Sequence, residues 1–154
     1  MAKINFIIFY ILAGNIALGK PAALSSLWRS HTVASLAVDG SKSTNSIDCA
    51  QSNLETNAWL RVDLQANAIV QSVSILSLEV GSRFMKAFDV RVGMISKNGG
   101  LENPPCQLNS LIPDNANSLH LTCPRDMIGQ YVTVDANSSG YVEICEIEVY
   151  GFYI

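Results

Sequence analysis

Three acids and two cysteines are placed so that they could form a metal site. Asp39 and Asp48 lie in a polar stretch that ends at Cys49, and Glu146 directly follows Cys145 near the end of the chain. A bridge between these two cysteines would bring the three carboxylates together. Because Ca2+ takes about six to eight oxygen ligands and accepts them from irregular loops, the pattern favours a calcium site. The alternative is that the Asp39 segment is only a tight turn in which the aspartate caps its own backbone.

The sequence does not favour an enzyme. His31 and His120 are its two histidines, and His120 lies in a predicted strand, where a structural role is the commoner one. No Gly-x-Ser-x-Gly, phosphate-binding loop or His-Glu-x-x-His motif is present. The acids cluster in loops and on one terminal strand, without an apolar pocket that would raise the pKa of one of them, which argues against glycoside hydrolysis. We therefore predict a non-catalytic protein.

The four cysteines, at positions 49, 106, 123 and 145, include no Cys-x-x-Cys pair, which argues against zinc and thioredoxin-like chemistry. An even count in a secreted chain suggests two disulfides, whose pairing the count alone leaves open. We favour a nested arrangement. In it Cys106–Cys123 closes a local loop and Cys49–Cys145 ties the first third of the chain to the last strand.

Residues 1–14 have the pattern of a secretory signal peptide, one lysine followed by an apolar run that is too short to span a bilayer. The small residues Ala17 and Gly19 would suit a cleavage site after Gly19. Cleavage near Gly14 instead would leave the segment that begins at Asn15 whole. We predict a signal peptide at 1–14, one domain at 15–151 and a short tail at 152–154. The alternative is that the apolar run forms the first strand of a cytosolic protein.

Composition and a short motif agree with secretion. The sequon Asn137-Ser138-Ser139 makes Asn137 a candidate for glycosylation. Charged residues make up 15% of the chain and the net charge is −3, so the chain lacks the basic field that nucleic acid binding requires. We predict an extracellular protein that does not bind nucleic acid.

Short alternating runs predict an all-β fold. Leu60, Val62 and Leu64 alternate with Arg61 and Asp63, the pattern of a strand with one buried face. Further strands are predicted at 69–76, 88–93, 119–123, 131–134 and 142–150, separated by turns rich in Gly, Pro and Asn. No segment after the leader has sustained helical periodicity. Short strands at this spacing are typical of two packed antiparallel sheets.

Several segments together resemble the F-type lectins, also called fucolectins, in their order and spacing. They span residues 15–151 and are Asn15–Ala22, Ala37–Gly40, Asn57–Leu64, Val90–Gly93, Gly129–Val134 and Cys145–Gly151. The resemblance implies a discoidin-like jelly-roll β-sandwich that binds L-fucose in a shallow pocket at one end and holds a structural Ca2+ nearby. It also implies the same long-range and local disulfides.

The resemblance implies a set of calcium ligands made of carbonyls and carboxylates. On this sequence they are the backbone carbonyls of Leu36, Ser41 and Cys145 and the side chains of Asp39, Asp48 and Glu146. The family usually has serine where Asp48 stands, and the acid there keeps an oxygen ligand. Ca2+ is therefore the expected structural cofactor.

The sugar motif of the family, a histidine followed by two basic residues, matches less well. Its histidine position is Gln51, and an ungapped count places Leu78 and Met85 at the basic positions. A shift of the alignment brings Arg83 or Lys86 into one of them. We predict a sugar site that uses Gln51, Arg83 and Lys86. Because one lost buried polar partner costs about 1–3 kcal/mol, we expect weak fucose binding or specificity for another glycan.

The sequence thus predicts a secreted lectin for fucosylated or related glycans on cells or microbes, in innate recognition or adhesion. Avidity would favour homo-oligomers, and no membrane contact beyond glycans is expected. Trp28 could stack on a sugar ring, although a loop aromatic folded onto the sandwich is the favoured alternative. The other candidate functions are a protein-binding adhesion module that has lost its sugar site and a phospholipid-binding domain that inserts Phe84 and Met85.

Overall fold

The computed structural model describes residues 14–78 and 85–154, and in them the regular structure is β-strand with short 3-10 helices. The strands are β1 (Gly14–Asn15), β2 (Ala22–Leu24), β3 (Ala50–Gln51), β4 (Glu55–Thr56), β5 (Trp59–Leu76), β6 (Phe88–Gly93), β7 (Pro105–Ser110), β8 (Ser118–Ala136), β9 (Ser139–Gly140), β10 (Glu143–Ile144) and β11 (Glu146–Tyr153). The 3-10 helices are Ala34–Val38, Ser46–Asp48 and Lys97–Gly100. The predicted all-β class is confirmed.

All strand pairs within the described residues are antiparallel. The main sheet has the order β1-β11-β5-β8-β6-β7, with β2 also paired to β5, while β3–β10 and β4–β9 form two small ribbons. β5 and β8 each join two strands that the sequence predicts as separate. The pairing register between β5 and β8 shifts after Asp63 and again after Val70. Such bulges bend a strand without ending it.

Both halves of the long strands contribute to one core. Leu60 and Val62, from the first half of β5, and Val73 and Ile75, from its second half, are wholly buried. All four belong to a single hydrophobic cluster that also contains Ile147 of β11. Because the two halves of the bent sheet enclose the same side chains, the architecture is a β-sandwich, as predicted.

The end of the chain differs from the prediction of a tail at 152–154. β11 continues to Tyr153, and Phe152 pairs with Ile69 while Tyr153 pairs with Ala68. The phenol of Tyr153 also donates a hydrogen bond to the Leu64 carbonyl at 3.1 Å. In the described part of the chain, we find no helix that has both the length and the apolar character needed to cross a membrane.

The segment after the predicted signal peptide is attached to the last strand, while residues 1–13 lie outside the described residues. The Asn15 side-chain oxygen accepts from the Val149 N–H at 3.1 Å, and the Ile16 N–H donates to the Val149 carbonyl at 2.8 Å. Cleavage after Gly19 would remove both contacts, whereas cleavage at Gly14 would keep them. The boundary near Gly14 stays a prediction.

Candidate functional site

The two predicted disulfides, Cys49–Cys145 and Cys106–Cys123, are formed. The first of them links the residue just before β3 to the residue just after β10, two strands too short to be stable alone. Gln51 and Glu143 lie directly opposite each other in this ribbon. Directly opposed residues of an antiparallel pair point their side chains to the same face. The disulfide therefore holds two polar side chains side by side.

A pocket of about 250 Å³ opens at this ribbon. It is lined by Trp28, Ser46, Gln51, Ser52, Leu78, Tyr141, Val142 and Glu143. Ligand sites are usually concave and mostly apolar, with a few fixed polar groups, and this lining has that composition. The volume lies just below the roughly 300–1,000 Å³ typical of drug-sized ligands, so it suits a small ligand such as one sugar ring.

Glu143 is the charged side chain among the described residues that line the pocket. The residue is 4% exposed, and its Oε1 has no hydrogen-bond partner. Burial raises the pKa of Glu143 to about 7, against the opposing effect of hydrogen bonds from the Ser77 side chain and the Leu78 backbone. An unsatisfied buried polar group costs about 1–3 kcal/mol. Oε1 of Glu143 therefore has no partner among the described residues, and a ligand that pairs with it would remove this cost.

The expectation that no apolar pocket would raise the pKa of an acid is wrong, because the pocket around Glu143 does so. Hydrolysis of a glycoside by the usual mechanism needs a second carboxyl group across the scissile bond. Among the residues that the structure describes, no second acid lines this pocket. The described part of the lining therefore does not contain the acid pair that this mechanism uses.

Of the three predicted sugar-binding residues, Gln51 lines the pocket. It is 7% exposed, and its side-chain amide donates to the Ser46 carbonyl at 3.0 Å. Lys86 is exposed and is not part of the pocket lining, and Arg83 lies outside the described residues. The structure therefore does not bring Gln51 and Lys86 together at the pocket.

An ungapped count places the two basic residues of the family motif at Leu78 and Met85. In the structure these two residues lie in different places. Leu78 lines the pocket, whereas Met85 is 4% exposed and belongs to the hydrophobic core. A buried Met85 cannot enter a bilayer, so its proposed part in phospholipid binding is wrong. Phe84, the other residue of that alternative, lies outside the described residues.

Trp28 is held at the pocket and remains 44% exposed. Its backbone N–H donates to the Gln51 carbonyl at 3.1 Å, which ties the Trp28 segment to β3. The guanidinium of Arg29 lies 4.1 Å from the centroid of the indole ring and makes a cation–π contact with it. Trp28 is thus partly covered by the protein and partly open at the pocket, and its role as a sugar-stacking platform stays a prediction.

Asp39 and Glu146, two of the predicted calcium ligands, come together in the structure. The Gly40 N–H donates to both carboxylate oxygens of Glu146, at 3.1 and 3.2 Å. Burial raises the pKa of Glu146 to about 7, and the neighbouring Asp39 carboxylate raises it further, while Gly40 and Lys42 act in the opposite direction. Adjacent carboxylates repel each other unless a proton or a cation offsets their charge. This pair fits a hard cation such as Ca2+.

The third predicted acid does not join this pair. Asp48 accepts a hydrogen bond from the Ser43 hydroxyl at 2.6 Å, and no three Asp, Glu, His or Cys side chains of residues 14–78 and 85–154 form a metal-binding group. The other predicted ligands are the carbonyls of Leu36, Ser41 and Cys145. The side chains therefore offer two carboxylates to a cation, one fewer than the sequence predicts.

The candidate glycosylation residue, Asn137, already uses its side-chain amide. Its Nδ2 donates to Asp89 Oδ1 at 3.1 Å and to Asn109 Oδ1 at 2.8 Å. A glycan bonded to that nitrogen leaves one hydrogen for two acceptors. Glycosylation of Asn137 would therefore break one of these contacts.

Sequence reasoning missed Glu143 and Tyr141 as pocket residues. A signal for Glu143 was available, because a bridge between positions 49 and 145 in antiparallel strands places residues 51 and 143 opposite each other. Tyr141 has no such signal. It reaches the pocket through the path of the loop before β10.

Known proteins resemble this chain in both sequence and fold. Residues 36–134 match the model of an F5/F8 type C family described as NedA-like, galactose-binding domain. Fucolectin-3 of Anguilla japonica is 34% identical over 84% of this chain and 73% of its own length. The fucolectin of Anguilla anguilla is 31% identical over 88% of this chain and 89% of its own length.

Among solved structures, an F-lectin (fucolectin) from the serum of striped bass, Morone saxatilis, matches with a TM-score of 0.81 and 27% identity. The match covers 92% of this chain and 50% of the striped bass chain, so this chain spans half the length of that lectin. Agreement in the family model, the sequence relatives and the fold leads to one assignment. The chain belongs to the F-type lectin, or fucolectin, family.

Proposed function

We propose that this chain is an extracellular carbohydrate-binding protein whose saccharide site is the pocket at β3 and β10. The observation that carries the proposal is the pocket itself, which combines the exposed indole of Trp28 with the buried polar groups of Gln51 and Glu143. A pyranose has an apolar face that packs on aromatic rings and hydroxyl groups that need fixed polar partners. The names of the relatives, which are fucolectins, and the serum origin of the striped bass protein support the ligand class and the location.

Membership of a lectin family confirms the prediction that the chain is not an enzyme. The biological roles that we propose are innate recognition and cell adhesion. Both would exploit several weak sites presented together, which is the reason to expect avidity and homo-oligomers.

Fucosylated or related glycans are the proposed ligands, with weak affinity for simple fucosides. Gln51 stands at the histidine position of the family motif, and its amide is already bonded to the Ser46 carbonyl. Leu78 stands in the pocket at a position where the ungapped motif has a basic residue. Since each lost buried partner costs about 1–3 kcal/mol, we expect affinity for fucose roughly ten to a hundred times lower than in a family member with the full motif.

The proposed cofactor is a structural Ca2+ held by the carboxylates of Asp39 and Glu146 together with loop carbonyls. Glu146 is 1% exposed, whereas Asp39 is exposed, so the pair has one side toward the core and one toward solvent. An ion there would offset the repulsion between the two acids and tie the loop at residues 39–41 to the start of β11. Its role is to fix the position of the loop, and it takes no part in a reaction.

Glycan array binding by the purified protein, followed by calorimetric titration of the best glycan, tests the saccharide proposal. We expect Trp28→Ala to weaken binding by roughly tenfold, because aromatic packing contributes about 0.5–1.5 kcal/mol beyond the buried area. Leu111→Ala is the matched control, since Leu111 is 62% exposed and is not part of the pocket lining. An array on which no glycan binds would favour the adhesion module instead, and unchanged binding by the Trp28 variant would place the sugar elsewhere.

A further inference from the structure

A buried residue of the pocket lining has a side-chain acceptor that no described residue satisfies. Among the described residues, the buried side-chain atoms without a hydrogen-bond partner are Arg61 Nε and Glu143 Oε1, and Glu143 lines the pocket. Glu143 is the partner of Gln51 across the disulfide-anchored ribbon, so its backbone position is fixed. A buried carboxylate oxygen that is fixed and unpaired favours a ligand that brings a donor to it.

The other polar side chains beside Glu143 are already bonded within the protein. The Gln51 amide donates to the Ser46 carbonyl at 3.0 Å. The Ser52 hydroxyl donates to the Asn53 carbonyl at 2.9 Å and accepts from the Val142 N–H at 3.0 Å. Among the buried polar side chains that the structure describes in this lining, Glu143 is thus the one with an unsatisfied atom.

Positive charge is also missing from the described part of the lining. No lysine or arginine of residues 14–78 and 85–154 lines the pocket. The guanidinium of Arg29 lies 4.1 Å from the centroid of the Trp28 ring, on the indole that borders the pocket. None of the ion pairs formed among residues 14–78 and 85–154 involves Glu143, so within this part of the chain its carboxylate has no ionic partner.

We propose that this pocket recognises an amino sugar, a hexosamine with a free protonated amino group that pairs with Glu143 while its ring packs on Trp28. The inference rests on the proposed function, since it takes the pocket as a saccharide site. An ammonium group carries three donors and the charge opposite to the carboxylate, and charge-assisted hydrogen bonds are stronger than neutral ones. A hydroxyl group would satisfy the oxygen but would leave its charge unpaired in an apolar pocket.

The test compares two saccharides that differ at the amino group. Glucosamine oligomers and N-acetylglucosamine oligomers of equal length are titrated calorimetrically into the wild-type protein, Glu143→Gln and Glu102→Gln. Glu102 is exposed and is not part of the pocket lining, so its variant controls for the removal of one negative charge. We expect the wild type and the Glu102 variant to prefer the free amine by roughly tenfold or more, and we expect Glu143→Gln to lose that preference.

Equal affinity for the two oligomers would overturn the inference. So would a preference that survives in Glu143→Gln, because it would reflect general attraction to a protein of net charge −3. Thermal melting shows whether Glu143→Gln folds, and Glu143→Asp, which withdraws the carboxylate by one methylene group, replaces it if it does not. Binding of fucosides without any preference for amines would overturn this inference alone, whereas a wild-type protein that binds no saccharide would overturn the proposed function as well.

Discussion

Gln51 and Glu143 lie directly opposite each other on β3 and β10, and each is two positions away from a cysteine of the same disulfide. The covalent bond thus sets the register of the ribbon on which the pocket is built. The second disulfide closes a local loop between Cys106 and Cys123. The two bridges should therefore have different effects on binding.

Replacing both Cys49 and Cys145 with alanine should reduce stability and weaken glycan binding together. The cysteines are 96 residues apart in this bridge and 17 apart in the other. In the chain-entropy model the longer loop is worth roughly 5 kcal/mol and the shorter one about 3 kcal/mol. Urea denaturation and calorimetric titration measure the two effects.

The matched control is the double alanine variant of Cys106 and Cys123, which should lose stability but keep its affinity for the glycan. Neither of these cysteines lines the pocket. If the control lost as much affinity as the Cys49 and Cys145 variant, the link between the long-range bridge and the pocket would be refuted.

Removal of calcium should lower the melting temperature. An ion present at about a hundred times its dissociation constant stabilises the folded state by about 2.7 kcal/mol. For a chain of this size that corresponds to a shift of roughly 5–10 °C. Thermal melting with excess Ca2+ and then with a chelator measures the shift.

The calcium response should depend on the two carboxylates that the structure brings together. Asp39→Asn should remove most of the difference between the calcium and chelator curves, because it removes one carboxylate of the pair with Glu146. Asp114→Asn, at an exposed position far along the chain from both carboxylates, should leave the difference intact. Identical curves for the wild-type protein in calcium and chelator would show that no structural calcium is bound.

The fold follows from patterns that are local in the sequence. The alternation at Leu60, Val62 and Leu64 identifies a half-buried strand, and those three side chains are wholly buried. The union of predicted strands into β5 and β8 was not visible in the sequence. It depends on bulges that shift the register near Asp63 and Val70, and these are set by pairing with distant strands.

The candidate site could be predicted only in part. Gln51 was found because it follows a cysteine at a position that the family motif defines. Glu143 was missed because burial, and not residue type, makes it distinctive. Its isolation depends on how neighbouring polar groups are bonded, and hydrogen bonds such as the one from Gln51 to the Ser46 carbonyl have no signature in sequence.

The calcium prediction shows the same limit. The turn at Asp39 and the acid after Cys145 were visible as sequence features, and the structure places Asp39 beside Glu146. Asp48 looked equivalent in sequence, but its carboxylate is bonded to the Ser43 hydroxyl. Which acids converge depends on loop conformation, and spacing alone does not fix it.

Stability should depend on pH through Asp135, which is 3% exposed and accepts a hydrogen bond from Arg91 at 2.9 Å. Burial raises the pKa of Asp135 above its ordinary value of 3.8, although Arg91 partly opposes the shift. The folded state therefore holds this proton more tightly than the unfolded state does. The contribution of Asp135 to the free energy of unfolding should therefore fall as the pH rises above 3.8, the ordinary pKa. It should level off once the pH exceeds the raised pKa of Asp135 in the folded state.

Urea denaturation of the wild-type protein and of Asp135→Asn between about pH 3.5 and pH 7 isolates this effect. Subtracting the free energy of unfolding of the variant from that of the wild type cancels the titration of the other acids. This difference should become less favourable to the wild type as the pH rises. Asp114→Asn, which removes an exposed acid, is the control and should show no such trend. A difference that moved in favour of the wild type with rising pH would mean that Arg91 outweighs the burial of Asp135.

The most direct test of the central claim, that the pocket at β3 and β10 binds a saccharide, uses the two tryptophans of the chain. Trp28 lines the pocket, whereas Trp59 lies on β5 outside its lining and serves as an internal reference. The indole N–H resonances are followed by NMR while the best array glycan is added. The account predicts a saturable shift of the Trp28 resonance with the Trp59 resonance unchanged; a bound glycan that leaves Trp28 unmoved would contradict it.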